Sequence, residues 1–218
     1  MNLKTKSLWV LGNRACSNTN ILGLDSVVAW IHKPLLVLIL ALFLDSSAWS
    51  WATPQDQPPF KLPPSQEIRR LKSAIIYTDR GEVRLELFPE IAPWHVANFK
   101  YLADKGFYRR LRFHIRIPHY IIQTGDPTYT GRGGPGYYLP PEFSSRKHVA
   151  GVVGMARAPN TSNPERRSNG SQFYILLGAA PHMDSQYTIF AEVVEGMTIV
   201  QQLKKGDYIR DIVVFVRR

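Results

Sequence analysis

The 218-residue sequence has one cysteine, Cys16. A lone cysteine cannot form an internal disulfide and supplies no zinc ribbon, finger or dithiol redox pair. The six histidines (32, 95, 114, 119, 148 and 182) show no metal-ligand spacing. The Gly-rich stretch Gly131–Gly136 reads GRGGPG with no following GK[ST]. It therefore lacks the parts of a phosphate loop. Lone serines have no Gly-x-Ser-x-Gly setting. The only long apolar run, PLLVLILALFL at 34–44, has eleven residues, against the roughly 20 that a spanning helix needs. Polytopic membrane, disulfide-framework and metalloenzyme classes are thereby set aside. What remains is 44 % hydrophobic and 20 % charged, an ordinary globular balance.

The run at 34–44 is preceded by Lys4, Lys6, Arg14, His32 and Lys33, and followed by Ser50-Trp51-Ala52. A charged segment, a short apolar segment and a small-x-small site form the pattern of an export signal. We expect cleavage after Ala52, with retention of 34–44 as a membrane anchor as the alternative. Thr53–Ser65 holds five prolines and no periodicity, an extended linker. The predicted organisation is 1–52 signal or anchor, 53–72 Pro-rich linker, and one domain over 73–218.

Within that domain Ser73–Thr78 and Glu82–Phe88 flank Asp79-Arg80-Gly81, a hairpin signal. Val83, Leu85 and Leu87 alternate with Glu82, Arg84 and Glu86, so one face is buried. Pro93 opens a helical pattern that runs through Val96, Phe99 and Leu102 to Gly106. Further strands are expected over 112–117, 120–123, 151–156, 172–177, 187–194 and 209–216, and a short helix over 197–204. Many short strands with two helices predict a small closed β-barrel.

Four collinear segments carry more. FHIRIPHYIIQTGD (113–126), Gly154-Met155-Ala156-Arg157, SNGSQFYI (168–175) and Tyr187-Thr188-Ile189-Phe190 resemble, in order and spacing, the signature segments of the cyclophilins. The resemblance extends from Ser73 to Phe215. It implies a mostly β fold, an eight-stranded antiparallel barrel capped by two α-helices. It also implies peptidyl-prolyl cis-trans isomerase activity without metal or cofactor, and a monomer acting on proline-containing segments of client proteins. The form of the Met-Ala-Arg segment is similar to an exported bacterial or cyanobacterial subgroup. With the export pattern at 34–52, the expected location is the periplasm or thylakoid lumen, with membrane anchorage as the alternative.

Rotation about an X-Pro bond crosses about 18–20 kcal/mol of amide resonance. A catalyst needs a pocket for the ring, a hold on the flanking carbonyl, and donors aimed at the twisted amide. The resemblance assigns His114, Gln123 and Gln172 to the polar catalytic set. It assigns Tyr120, Ile121, Ala156, Arg157, Tyr174, His182, Met183 and Tyr187 to substrate binding. Taken alone, Ile121, Met183, Tyr120 and Tyr174 read equally as core, and His114 as a structural histidine. The departure is Ile115, which stands where the family carries its principal arginine. Arg116 is next door, but strand side chains alternate, so it should face away. A local bulge would bring it back, and Thr124, in place of a usual glycine, hints at a rebuilt strand. Low turnover, or proline-peptide binding without turnover, follows as an expectation.

The formal charge is +10. Residues 1–52 hold four basic and two acidic residues, so the remainder carries about +8. Arg109-Arg110-Leu111-Arg112-Phe113-His114 interleaves basic and aromatic residues, as single-strand binders do. We read it instead as a solvated strand and loop, with no nucleic-acid partner.

Overall fold

The computed structural model describes residues 57–217. The expected signal or anchor over 1–52 lies outside the described residues, and so does Cys16. Among the described residues no helix is long and apolar enough to cross a membrane.

The chain opens with a one-turn helix, α1 (Ser65–Ile68), and β1 (Leu71–Thr78). Strand β1 begins two residues before the expected boundary at Ser73. Ile68 and Leu71 are both buried, and Leu71 pairs with Val216 at the far end of the domain. Phe60, in the segment read as linker, stacks on Tyr101 at 5.0 Å. Apolar side chains at 60, 68 and 71 find partners, so packing begins inside the proline-rich stretch.

The hairpin to β2 (Gly81–Leu87) closes as expected, Thr78 facing Gly81, with Gly81 at φ +138°, which favours glycine. The predicted alternation holds along β2. Helix α2 (Pro93–Asp104) starts on proline. Its first free N–H groups, at Trp94 and His95, donate to Glu142, an acceptor supplied from outside the helix. It ends in a Schellman motif: Gly106 N–H donates to Ala103 O and Phe107 N–H to Leu102 O.

The remaining strands are β3 (Ile115–Ile117), β4 (Ile121–Thr124), β5 (Tyr138–Leu139), β6 (Val152–Met155), β7 (Ser168–Asn169), β8 (Phe173–Leu176), β9 (Ile189–Glu195) and β10 (Ile209–Val216). A short helix, α3 (Met197–Gln202), precedes β10. Eight strands form one antiparallel sheet in the order β10-β1-β2-β9-β6-β8-β4-β3. Its two edges meet through the segment before β3. Arg112 bridges Tyr208, with bonds from Arg110 N–H to Ile209 O and from Phe113 N–H to Asp207 O. The sheet thus curls into a barrel. Phe99 of α2 fills one end, packing on Phe173 and Phe190 at 5.6 and 5.3 Å.

Strand β3 is shorter than expected, three residues in place of six, and it holds no bulge. Ile115, Arg116 and Ile117 face Gln123, Ile122 and Ile121 in unbroken register. Thr124 fits because its Oγ1 donates to Arg112 O.

Candidate active site

Side chains alternate across a strand, so the outer face of β3, β4 and β8 collects Ile115, Ile121, Gln123, Tyr174 and Leu176. These build a second apolar cluster outside the barrel core. Its buried members include Phe88, Ile121, Val152, Tyr174, Met183 and Ile189, with Ile115, Tyr120 and Tyr187 partly exposed over them. Ile121, Met183 and Tyr174 are thus buried as the floor of this patch rather than in the barrel core. Tyr120 forms one wall. Its hydroxyl lies 2.9 Å from His182 Nε2 and donates to Met183 Sδ at 3.5 Å. Tyr187 forms the other wall, edge-on to Tyr174 at 6.2 Å, with the Arg157 guanidinium 4.4 Å from its ring centre.

The polar members sit beside this patch. Gln123 Nε2 donates to Gln172 Oε1 at 2.8 Å and lies 3.4 Å from His114 Nε2. Gln172 Nε2 donates to Gly131 O and Gly133 O. The GRGGPG loop therefore acts as an acceptor shelf for Gln172. Asp126 shapes it, accepting from Thr128 N–H, Thr128 Oγ1 and Gly131 N–H. Burial works against the ionised Asp126, but these donors hold it below the usual carboxylate range. Burial pushes His114 below its ordinary value, against the pull of Asp126. With both Gln123 amide protons so directed, its Oε1 faces no protein donor among the described residues. It is free to accept from a bound peptide.

Two expected roles shift. Ala156 N–H donates to Gln172 O and Ala156 O accepts from Asn169 N–H, so its ladder positions are filled within the protein. The Arg157 N–H and C=O make no hydrogen bond among the described residues, so the unfilled backbone positions of this segment are those of Arg157. Arg157 itself is fixed by Gln186 O, Ala158 O and Asn160 Oδ1. The arginine question is also answered. Ile115 packs into the patch, whereas Arg116 turns away and donates to Leu203 O, Gln201 O and Ile117 O. It caps the end of α3, whose terminal carbonyls lack helical partners.

Sequence reasoning missed two residues that touch the patch from behind. His148 Nε2 lies 3.1 Å from the Tyr174 hydroxyl, and His148 Nδ1 lies 3.1 Å from Asp184 Oδ1. His148 was one histidine among six, and Asp184 an isolated carboxylate. The only usable signal was Gly154, which leaves room for the Tyr174 phenol. Among the described residues no group of three or more His, Cys, Asp or Glu side chains is placed to hold a metal ion. A groove of about 450 Å³ between Phe60, Ile68 and Tyr101 lies away from this face.

The comparisons agree with the geometry. A family model described as cyclophilin type peptidyl-prolyl cis-trans isomerase/CLD matches residues 73–215. A peptidyl-prolyl cis-trans isomerase of Synechococcus elongatus is 40 % identical over 144 residues, 65 % of this chain and 95 % of that protein. The crystal structure of a Cryptosporidium parvum cyclophilin type isomerase superposes with a TM-score of 0.61 at 30 % identity, covering 67 % of this chain and 99 % of that one. The same protein in the presence of the dipeptide Ala-Pro gives 0.60 at 32 % identity, covering 66 % and 98 %.

Proposed function

Because this chain belongs to the cyclophilin-type peptidyl-prolyl cis-trans isomerases, we propose that it isomerises proline bonds in exported client proteins, with turnover lowered at Ile115. The enzyme class follows from the family. The low turnover rests on one observation, the side chain at 115. An apolar residue packs where a donor would face the twisting amide, and the neighbouring guanidinium is committed to Leu203 O and Gln201 O. Losing one preorganised donor typically costs roughly 10²–10³ in rate. The patch keeps what binding needs: apolar walls for a proline ring, the free Oε1 of Gln123, and the Arg157 backbone for β-type pairing. Ala-Pro present with the related Cryptosporidium protein supports a proline-bearing ligand of this size.

A protease-coupled assay on an Ala-Pro peptide tests the reading. Ile115→Arg is expected to raise kcat/KM by roughly 10²–10³ over the natural protein, the range of one restored donor. A natural rate equal to that of arginine-bearing relatives would overturn the weak-turnover proposal. The same side chain favours a second reading, a monomeric binding chaperone or scaffold for proline-bearing segments. Peptide binding without turnover, unchanged by Ile115→Arg, would establish it.

The export proposal rests on the pattern at 34–52, and the compartment is the periplasm or thylakoid lumen. N-terminal sequencing of the protein from its native cells is expected to begin at Thr53. A chain that keeps 34–44 and sediments with membranes would establish anchorage instead.

A further inference from the structure

Behind the pocket floor the buried His148 and the partly exposed Asp184 have no part in the chemistry described so far. Asp184 Oδ1 accepts from the backbone N–H of His148 at 2.8 Å and lies beside its Nδ1 at 3.1 Å. Lys147 Nζ reaches the other carboxylate oxygen at 3.2 Å. The His148 N–H, with Lys147 and the ring adding, pulls the Asp184 carboxyl down to about 2. An ionised carboxylate beside Nδ1 places the proton of neutral imidazole there and leaves Nε2 as a bare acceptor. The Tyr174 hydroxyl, 3.1 Å away, must then donate to it. Histidine and tyrosine are each about 1 % exposed, so water does not substitute for either partner.

Space for this contact exists because residue 154 is glycine. A Cβ there would come 2.2 Å from the Tyr174 hydroxyl oxygen and 2.4 Å from Cζ. Both rings also meet the exposed wall edge-on: Tyr187 lies 6.2 Å from Tyr174 and 6.5 Å from His148. One hydrogen bond therefore sets the ring on the floor, and that ring supports the wall.

We propose that His148, oriented by Asp184, is a positioning residue of the proline site: it holds the Tyr174 ring as the pocket floor by accepting its phenol proton. The proposal rests on the proline-site reading above. It has a consequence that a purely structural histidine would not have. Protonated His148 carries N–H at both nitrogens and cannot accept, so acid forces the phenol to turn. Burial lowers His148 from its ordinary value, against the pull of Asp184, so the change comes below about pH 6.5. The groups facing it are Asp184 and Lys147 on its own side, His182 on the short helix at 181–183, Tyr174 on β8, and Tyr187. Arg157 and Tyr120 face the Tyr174 phenol.

The test uses exchange NMR on a capped Ala-Pro peptide, which needs no coupled protease, from pH 5 to 8. In the natural protein kcat/KM should fall on the acid side with one apparent pKa below 6.5. Tyr174→Phe has no hydroxyl to reorient and should flatten that limb. His148→Gln keeps an acceptor that does not titrate. It should retain neutral-pH activity within about twofold and also lose the limb. His148→Phe offers no acceptor and should lose about fivefold at every pH, the worth of one neutral hydrogen bond. An acid limb that persists in both Tyr174→Phe and His148→Gln belongs to His114 and overturns the assignment. So does a flat natural profile. A second readout needs no turnover. Long-range ¹H–¹⁵N correlation at pH 7.5 should show His148 protonated at Nδ1, with its Nε2 shift altered in Tyr174→Phe. Nε2 protonation would overturn the proposal. Absence of turnover at any pH, with the Nδ1 tautomer seen, would instead count against the isomerase reading alone.

Discussion

At the scale of single residues, two neighbours on one short strand divide the work. Ile115 faces the apolar patch and Arg116 the helix behind it, because successive side chains leave a strand on opposite faces. That division was legible in the sequence, since the period of two does not depend on the rest of the fold. The partners of Arg116 were not legible, because Gln201 and Leu203 lie 85 and 87 positions onward. The same limit hid His148, which meets Tyr174 only across the fold of the sheet. If Arg116 is a helix cap and not a displaced catalytic group, Arg116→Met should destabilise the protein by about 1–2 kcal/mol, from lost charged donors at α3. Its isomerase rate should stay within about twofold. A urea titration beside the peptide assay checks both, and a large rate loss with unchanged stability would return Arg116 to the site.

At the scale of elements, boundaries with chemical punctuation were readable and those set by packing were not. Pro93 and Gly106 marked α2, and Asp79-Arg80-Gly81 marked the first hairpin, because each supplies a backbone conformation other residues resist. The start of the domain had no such mark. Prolines suggested a linker, yet Ile68 and Leu71 are buried, the one-turn helix that holds Ile68 packs on α2, and Leu71 pairs with the last strand. Likewise, β3 looked six residues long, but only three keep the ladder, while its first half turns to close the barrel on Tyr208. Ile68→Ala should therefore cost about 2 kcal/mol, the lower end for a buried isoleucine in a site that can relax, although position 68 precedes the matched family region. A lower urea midpoint at constant slope would show it. An unchanged midpoint would return residues 57–70 to the status of linker.

At the scale of the whole molecule, charge and buried titratable groups act together on acid stability. The net +8 beyond residue 52 grows as pH falls, and self-repulsion works against the compact state. Two buried histidines add a separate term. Burial lowers both His114 and His148, so on acidification the unfolded chain binds their protons first, from about pH 6.5 downward. Stability is full above that value and declines until the folded histidines protonate. Below about pH 4 a second decline follows, because Asp126, Asp184 and Asp207 are all held below their ordinary range in the folded protein. The melting temperature should thus be level from pH 7.5 to 9, fall between 7 and 5, and fall again below 4. Salt separates the causes. At about 0.5 M ionic strength the repulsive part is screened, while the desolvation of buried imidazoles is not. The first decline should survive in salt and shrink in His148→Gln. A melting temperature that rises between pH 7 and 5, or a first decline abolished by salt, would mean that the buried histidines do not govern it.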